Sequence, residues 1–209
     1  MEAKSSSSLH SFQVFMISLS ILLLIMSRSI PTISATPSKT NLTQIYKNFI
    51  KSSCNSTRYP KDCNKALSPY ASAIKADWVK LCNTSLSLTL NAASNTSSSI
   101  DSVSKMKGLS PSEAGIIREC AENVGDAIDE LTESLKAMAG GLQGGADRKS
   151  QMNNIRTWVS AALTDEYTCT DDFQGQKVRK AVRDTIRKSV LNLAKMTSNC
   201  LALFNFLYR

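Results

Sequence analysis

The segment LSPSEAGIIRECAENVGDAIDELTESLKAM, residues 109–138, decides the fold that the sequence predicts. Its apolar residues recur every three or four positions, at Ile117, Cys120, Val124, Ile128, Leu131, Leu135 and Met138. This spacing is typical of one face of an amphipathic α-helix. Ser110 is a favourable N-cap, Pro111 suits the first helical position, and Glu113 completes a capping box. The segment therefore predicts a long helix that begins at Pro111.

The same helix carries an acidic face. Carboxylates recur at helical spacing beside the apolar stripe, at Glu122, Asp126, Asp129, Glu130 and Glu133. A solvated helix face is the ordinary explanation of such a row, and a docking surface for a partner is the functional one. The segment thus combines a core face, an acidic surface and, at Cys120, a residue that can form a covalent link.

Three further helices are predicted around this segment. One runs from Asp77 to Lys107 and one from Ser150 to Thr168, and Asp171 or Asp172 can cap the last. Glycines at 140, 141, 144 and 145 mark the turn between the second and third helices. Four helices joined by short turns favour an all-α, antiparallel, up-down-up-down bundle, and no strand pattern of useful length competes.

Two shorter helices precede the bundle, at 41–53 and at 60–67. Cys54 and Cys63 bracket the turn between them, which predicts a helical hairpin joined by a disulfide. Such a hairpin is too small to hold a core alone, so it should dock on the bundle.

The chain begins with a predicted secretory signal. The apolar run FQVFMISLSILLLIM, residues 12–26, is followed by small residues at 32–35, which fits a cleaved leader better than a membrane-spanning helix. A retained signal anchor is the alternative. Cleavage near Ser34 or Ala35 leaves about 175 residues. The predicted organisation is a signal peptide at 1–35, a helical hairpin at 36–76 and a four-helix bundle at 77–209.

Two further features fit a secreted, extracellular protein. All six cysteines lie beyond the leader, where an oxidising compartment favours disulfides. Four glycosylation sequons begin at Asn41, Asn55, Asn83 and Asn95. Without the leader the chain has 23 basic and 16 acidic residues, a net charge of +7. A basic secreted protein is attracted to polyanions such as acidic polysaccharides, whereas nucleic acid is not an expected partner outside the cell.

The only histidine, His10, lies inside the leader. The mature chain therefore has no Ser/His or Cys/His nucleophile pair and no histidine metal site. An enzyme would have to rely on carboxylates or cysteine, and the pattern shows no buried carboxylate pair. We expect a protein that is not an enzyme and that needs neither a metal nor a cofactor.

Six cysteines allow fifteen connectivities, and bundle geometry restricts them. At ~1.5 Å per residue, Cys120 and Cys169 lie level on neighbouring helices, and so do Cys82 and Cys200. We therefore predict the disulfides Cys54–Cys63, Cys120–Cys169 and Cys82–Cys200. Two separate buried thiols are the alternative for the third pair.

Several stretches resemble the plant invertase and pectin methylesterase inhibitor domain. They are SSC (52–54), YPKDC (59–63), LSPSEAGIIREC (109–120), DAIDEL (126–131), TWVSAALTDEYTCTDDFQG (157–175) and MTSNCLAL (196–203). The similarity extends over nearly the whole mature chain. It implies a helical hairpin packed on a four-helix bundle, disulfides equivalent to Cys54–Cys63 and Cys120–Cys169, and residence in the cell wall. Cys82 and Cys200 depart from the four-cysteine pattern of the family.

The family contains two kinds of inhibitor. Invertase inhibitors carry a Pro-Lys-Phe element just before the second bundle helix, where this chain has Pro111, Ser112 and Glu113. The chain is therefore more similar to the inhibitors of pectin methylesterase, which form one-to-one complexes and lay bundle helices over the pectin cleft of the enzyme. Invertase inhibition is the alternative, and a secreted helical lipid carrier with a large internal cavity is an alternative of another class.

The resemblance implies an inhibitor interface at Asp126 and Asp129 on the second bundle helix and at Thr168 and Asp171 near the end of the third. Carboxylates placed beside carboxylates of an enzyme predict weaker inhibition as pH rises toward neutral.

The fourth bundle helix carries four cations at Lys180, Arg183, Arg187 and Lys188. A solvated face is the ordinary explanation, and weak binding to acidic pectin is the functional one. A monomer with pectin methylesterase as its protein partner, and no contact with membranes after cleavage, is the expected state.

Overall fold

The computed structural model describes residues 14, 16–18, 39–141 and 144–208. The predicted signal peptide lies almost entirely outside the described residues, apart from a helical piece at 14 and 16–18. Within the described part of the chain, no helix combines the length and the apolar character needed to cross a membrane. The described residues between 39 and 208 form one compact unit that contains both the hairpin and the bundle.

The hairpin consists of α1 (Lys39–Cys54) and α2 (Pro60–Leu67), followed by a 3₁₀ turn (Ser68–Tyr70) and a single helical turn, α3 (Ala71–Ile74). The predicted disulfide Cys54–Cys63 is confirmed, with 5.6 Å between the Cα atoms. Asn199 docks the hairpin on the bundle. Its side chain accepts a hydrogen bond from the Tyr59 amide at 2.9 Å and donates one to the Tyr59 carbonyl at 3.0 Å.

Four long helices form the bundle: α4 (Trp78–Ser104), α5 (Pro111–Ala139), α6 (Gly145–Asp171) and α7 (Lys180–Leu207). Each packs chiefly on two neighbours, α4 on α5 and α7, and α6 on α5 and α7. This is the up-down-up-down arrangement that the sequence predicts. Ser110 caps α5 through the predicted capping box with Glu113.

The apolar stripes of the four helices face inward and fill the core. Ile117, Leu131, Ile155 and Phe204 are examples of side chains that are almost fully buried. The cavity between the hairpin and the bundle has a volume of about 10 Å³, which is room for about one water molecule. This filled interior gives no support to the lipid-carrier alternative.

The predicted start of the last helix is wrong. Asp171 and Asp172 end α6 instead of capping α7, which begins at Lys180. The chain turns at Gly175, whose φ of +73° is the left-handed conformation that glycine adopts without strain. Phe173 is buried in the core beside the turn, which holds this connection against the bundle.

Two disulfide predictions for the bundle have opposite outcomes. Cys120–Cys169 is confirmed and joins α5 to α6, with 4.4 Å between Cα atoms. Cys82–Cys200 is wrong, because both residues are buried free thiols. The Cys200 thiol makes hydrogen bonds with Ser85 and Thr89, one and two helical turns beyond Cys82 on α4. The two cysteines therefore lie near each other, but out of register.

Candidate functional site

The four predicted interface residues lie on two neighbouring helices. Asp126 and Asp129 are exposed on α5, and Thr168 and Asp171 are exposed near the end of α6. The Cys120–Cys169 disulfide brings the two helices level at this end of the bundle. Counted from it at ~1.5 Å per residue, Asp129 and Asp171 lie roughly 17 Å apart along the helix axes. The candidate site is therefore an extended surface and not a pocket.

Asp126 belongs to a cluster of carboxyl groups in the groove between α5 and α6. Its charge acts on both Glu130 and Asp165, which are half-buried and joined by a hydrogen bond between their side chains. Burial, and next the charge of Asp165, raise the pKa of Glu130 from 4.5 to about 7. Burial also raises the pKa of Asp165. The pair thus shares one proton at mildly acidic pH.

Glu166 lies directly behind this cluster and is fully buried. Its Oε1 accepts a 2.6 Å hydrogen bond from the Thr197 hydroxyl on α7, and its Oε2 has no hydrogen-bond partner. Burial is the main reason that the pKa of Glu166 rises from 4.5 to about 8. The sequence pattern shows no buried carboxylate pair, and the structure places one fully buried carboxyl group, Glu166, beside the half-buried Glu130–Asp165 pair.

Asp129 points to different neighbours. The pKa of Lys136, two turns further along α5, is raised mainly by the hydrogen bond and the charge of Glu133. The charge of Asp129 adds to this rise. Glu133 and Lys136 form an exposed ion pair of 2.7 Å. Asp129 therefore extends the acidic surface away from α6 and does not join the proton-sharing pair.

Thr168 and Asp171 form the corner where α6 ends. The Thr168 hydroxyl donates a hydrogen bond to the carbonyl of Thr164 at 3.0 Å. The Asp171 carboxylate accepts a hydrogen bond from the side-chain amide of Gln174 at 2.8 Å. Both interactions are local, so both side chains remain on the surface. Counted from the Cys120–Cys169 disulfide, Asp171 at this corner lies roughly 12 Å from Asp126 along the helix axes.

An ion pair holds the connection that follows this corner. Glu113, near the start of α5, accepts hydrogen bonds from the Arg179 amide at 2.9 Å and from its guanidinium at 2.8 Å. The hydrogen bond from Ser110, followed by those from Arg179, lowers the pKa of Glu113 from 4.5 to about 2. The charged carboxylate therefore fixes the end of the 172–179 connection against α5.

Asp165 and Glu166 are not among the predicted site residues, and Glu130 is predicted only as part of the acidic stripe. The sequence does contain a signal for Glu166, because it falls at helical spacing in the row of inward residues Val159, Ala162 and Cys169 on α6. A carboxylate on an apolar stripe indicates a buried, titratable group. The Glu130–Asp165 contact had no such local signal, because it depends on how α5 and α6 are aligned.

The arrangement suits binding better than catalysis. Glu166 is fully buried, so a substrate cannot reach it. Within the described ranges, no group of three or more acidic, cysteine or histidine side chains is placed to hold a metal ion. An exposed acidic surface on two rigid helices, with one shared proton, can dock against a polar or cationic surface of another protein in a pH-dependent manner.

Comparison with known proteins identifies the family. The family model described as plant invertase/pectin methylesterase inhibitor matches residues 48–203. The chain is 38% identical to Pectinesterase inhibitor 4 of Arabidopsis thaliana over 188 residues, which cover 90% of this chain and 94% of that protein. It is 37% identical to the 21 kDa protein of Daucus carota over 158 residues, covering 75% and 82% of the two chains.

The fold is also found among solved structures. The crystal structure of mutant form A of a pectin methylesterase inhibitor from Arabidopsis aligns with a TM-score of 0.60 and 22% sequence identity. The alignment covers 75% of this chain and 95% of that one. The chain belongs to the plant invertase/pectin methylesterase inhibitor family.

Proposed function

We propose that this protein is a secreted inhibitor of pectin methylesterase, and that it binds the enzyme one-to-one as a monomer over the pectin cleft. The observation that carries the proposal is the 38% identity, over 90% of this chain, to an Arabidopsis protein named as a pectinesterase inhibitor. An inhibitor that covers the cleft would slow the de-esterification of cell-wall pectin without catalysing a reaction itself.

The start of α5 favours this target over invertase. The Pro-Lys-Phe element expected of invertase inhibitors is replaced by Pro111, Ser112 and Glu113. Glu113 is 4% exposed and turned inward, where it binds Ser110 and Arg179. This position therefore offers an invertase no exposed lysine or aromatic ring.

The proposed interface comprises Asp126, Asp129, Thr168 and Asp171, extended by Glu130 and Asp165. All six are on the solvent side of α5 and α6, fully or in part. Backbone hydrogen bonds hold both helices rigid, and the Cys120–Cys169 disulfide joins them. Rigid elements reduce the entropy lost on binding, so a small set of contacts can support a tight complex.

Location in the cell wall follows from the proposed secretion of the chain. The asparagines of the four sequons, Asn41, Asn55, Asn83 and Asn95, are exposed, so each can carry a glycan. Asn83 satisfies this condition although its neighbour Cys82 is buried. The basic face of α7 would add weak attraction to acidic pectin, through Lys180, Arg183, Arg187 and Lys188.

The proposal is tested by two assays run side by side on the purified secreted protein. We expect it to reduce methanol release from pectin by a plant pectin methylesterase and to leave glucose release from sucrose by invertase unchanged. Inhibition of invertase alone would contradict the choice of target, and inhibition of neither enzyme would contradict the proposal.

Variants of the proposed interface locate the binding surface. Asp126→Lys and Thr168→Arg should each weaken inhibition about tenfold or more, because a bulky cation then faces surfaces that accept an acidic or small polar side chain. Lys47→Glu, an exposed charge reversal on α1, is the matched control and should inhibit like the unmodified protein. Equal inhibition by all three variants would exclude this surface.

A further inference from the structure

The face of the bundle opposite to the acidic surface is basic and rich in hydroxyl groups. From Lys180 to Leu207, α7 has a single acidic residue, Asp184, and α4 has none between Asp77 and Asp101. The four cations proposed to attract pectin lie on α7, but they are not equivalent. Asp184 forms ion pairs with Lys180 and with Arg183, the latter at 3.7 Å. Arg187 and Lys188 are exposed, and no ion pair to either occurs among the described residues.

A groove of about 770 Å³ runs along this face between α4 and α7. Its lining contains two lysines, three hydroxyl side chains, one amide and one aliphatic residue, namely Lys188, Lys195, Ser99, Thr185, Ser189, Asn192 and Leu191. The Ser189 hydroxyl donates to that of Thr96 at 3.2 Å, which joins the two helices at the groove floor. The floor is therefore a rigid part of the bundle.

The two lysines of the groove lie on one side of α7. Lys188 and Lys195 are seven residues apart, which puts their backbones roughly 10 Å apart along the α7 axis on one side of the helix. Lys195 also forms a half-exposed ion pair of 3.8 Å with Asp62 on α2, so among the described residues Lys188 is the groove lysine without an ion pair. Two lysines roughly 10 Å apart along one groove match a polymer that repeats a negative charge better than they match a compact anion.

The remaining groups of the groove narrow the class of polymer. Ser99, Thr185 and Asn192 offer donors and acceptors of the kind that pair with the hydroxyl groups of a sugar. None of the seven lining residues is aromatic, so the groove offers no platform for stacked nucleic-acid bases. Leu191 is the one aliphatic side chain in the lining, which is too little to insert into a lipid surface.

We infer that the α4–α7 groove binds a linear polymer of uronic acid, specifically de-esterified pectin. The choice of this polymer rests on the proposed function, because its free carboxylates are what pectin methylesterase produces. The groove lies on α4 and α7, whereas the proposed enzyme interface lies on α5 and α6. An inhibitor held this way would accumulate where the enzyme has already acted.

The inference is tested without the enzyme, so that its outcome is independent of the proposed function. Binding of the purified full chain to polygalacturonate, to highly methyl-esterified pectin and to phosphatidylserine vesicles is measured at 20 mM and 200 mM salt. We expect measurable binding to polygalacturonate at low salt, a loss of about tenfold or more at high salt, and much weaker binding to esterified pectin and to vesicles.

Matched variants separate the groove from net charge. Lys188→Glu should reduce the affinity for polygalacturonate about fivefold to tenfold, whereas Lys47→Glu, with the same change of net charge on α1, should reduce it less than about twofold. A second groove variant, Asn192→Arg, adds a cation to the lining and should increase the affinity. Thermal melts check that each variant is folded.

Four results would overturn the inference: equal losses for Lys188→Glu and Lys47→Glu, equal binding to esterified pectin, tighter binding to the vesicles, or no binding at low salt. Inhibition of pectin methylesterase by the unmodified protein, measured separately, then shows whether the proposed function stands without the groove.

Discussion

Glu113 stabilises the starts of two helices that are far apart in the sequence. One carboxylate oxygen accepts from the Ser110 amide at 2.9 Å, which closes the capping box of α5. The other accepts from the amide and the guanidinium of Arg179, immediately before α7. These hydrogen bonds favour the charged carboxylate and lower its pKa to about 2.

Replacing Glu113 should destabilise the fold in a pH-dependent way. Its pKa falls from 4.5 to about 2 on folding, so its contribution is complete above pH 4.5 and is lost as pH falls through 2. We expect Glu113→Gln to lower Tm by several degrees at pH 7 and to differ little from the unmodified protein near pH 2. Circular-dichroism melts from pH 2 to 7 measure this.

The matched control is Glu119→Gln, an exposed position on the same helix. Its Tm should follow that of the unmodified protein at every pH. Identical melting curves for the Glu113 and Glu119 variants at pH 7 would show that the double contact of Glu113 does not stabilise the fold.

Glu166 should make stability depend on pH in the opposite direction. Its pKa rises from 4.5 to about 8 on folding, mainly through burial. A group whose pKa is raised in this way stabilises the fold fully below pH 4.5, and that stabilisation is lost as pH rises through 8. A shift of one pKa unit between the unfolded and folded states corresponds to about 1.4 kcal/mol of stability. We therefore expect Tm to fall roughly 5–10 °C from pH 5 to pH 8.

Glu166→Gln tests this assignment, because the amide oxygen can still accept from Thr197 but does not titrate. The Tm of this variant should fall clearly less than that of the unmodified protein between pH 5 and pH 8 when measured by calorimetry. The decline that remains is the share of Glu130, whose pKa is about 7. Glu119→Gln again serves as the control and should keep the decline of the unmodified protein. If Glu166→Gln declines as steeply, another group causes the pH dependence.

Among the helices, α5 shows which features the sequence could predict and which it could not. The start at Pro111 and the capping box depend on residues three positions apart, so both are readable from the chain. The inward residues Ile117, Val124 and Leu131 follow from the period of the helix. The contact of Glu113 with Arg179 joins residues 66 positions apart, and no local pattern indicates it.

The cysteines show the same limit for pairs of helices. The residue count places Cys120 and Cys169 level on α5 and α6, and there the actual register agrees with the count closely enough for a disulfide to form. The same count along α4 and α7 failed for Cys82 and Cys200, because a shift of one turn is enough to separate two thiols. Register between helices comes from side-chain packing, which residue counts do not contain.

Register also creates the proton-sharing pair of Glu130 on α5 and Asp165 on α6. Binding an enzyme over this pair would bury it further and favour the protonated form. Because the pKa of free Glu130 is about 7, we expect inhibition to be strongest at mildly acidic pH and to weaken as pH rises through 7. Dissociation constants measured from pH 5 to pH 8 test this.

Glu130→Gln removes the titrating group and keeps the hydrogen bond to Asp165 available. This variant should show a flatter dissociation constant over the same range. Glu133→Gln, an exposed change one turn away, should retain the pH dependence of the unmodified protein. A dissociation constant of the unmodified protein that is flat from pH 5 to pH 8 would contradict a role for the pair.

The charges of the whole molecule are distributed unevenly. The acidic surface lies on α5 and α6, whereas the cations of α7 lie on another side of the bundle, although the net charge of the full chain is +8. Net charge alone would predict attraction to polyanions over the entire surface. The arrangement instead separates the proposed enzyme interface from the proposed polymer groove, which would allow both to be occupied together.

Simultaneous occupation predicts that the inhibitor can hold the enzyme on the polymer. Polygalacturonate beads loaded with the inhibitor at low salt should retain more pectin methylesterase than bare beads, which measure the direct binding of the enzyme. Asp126→Lys should remain on the beads but lose the additional enzyme, because only the acidic face is changed. Lys188→Glu should be retained less on the beads and still inhibit in solution, because the two faces are expected to act independently. If loaded beads retain no more enzyme than bare beads, while inhibition and polymer binding each occur separately, then the two partners compete for one surface.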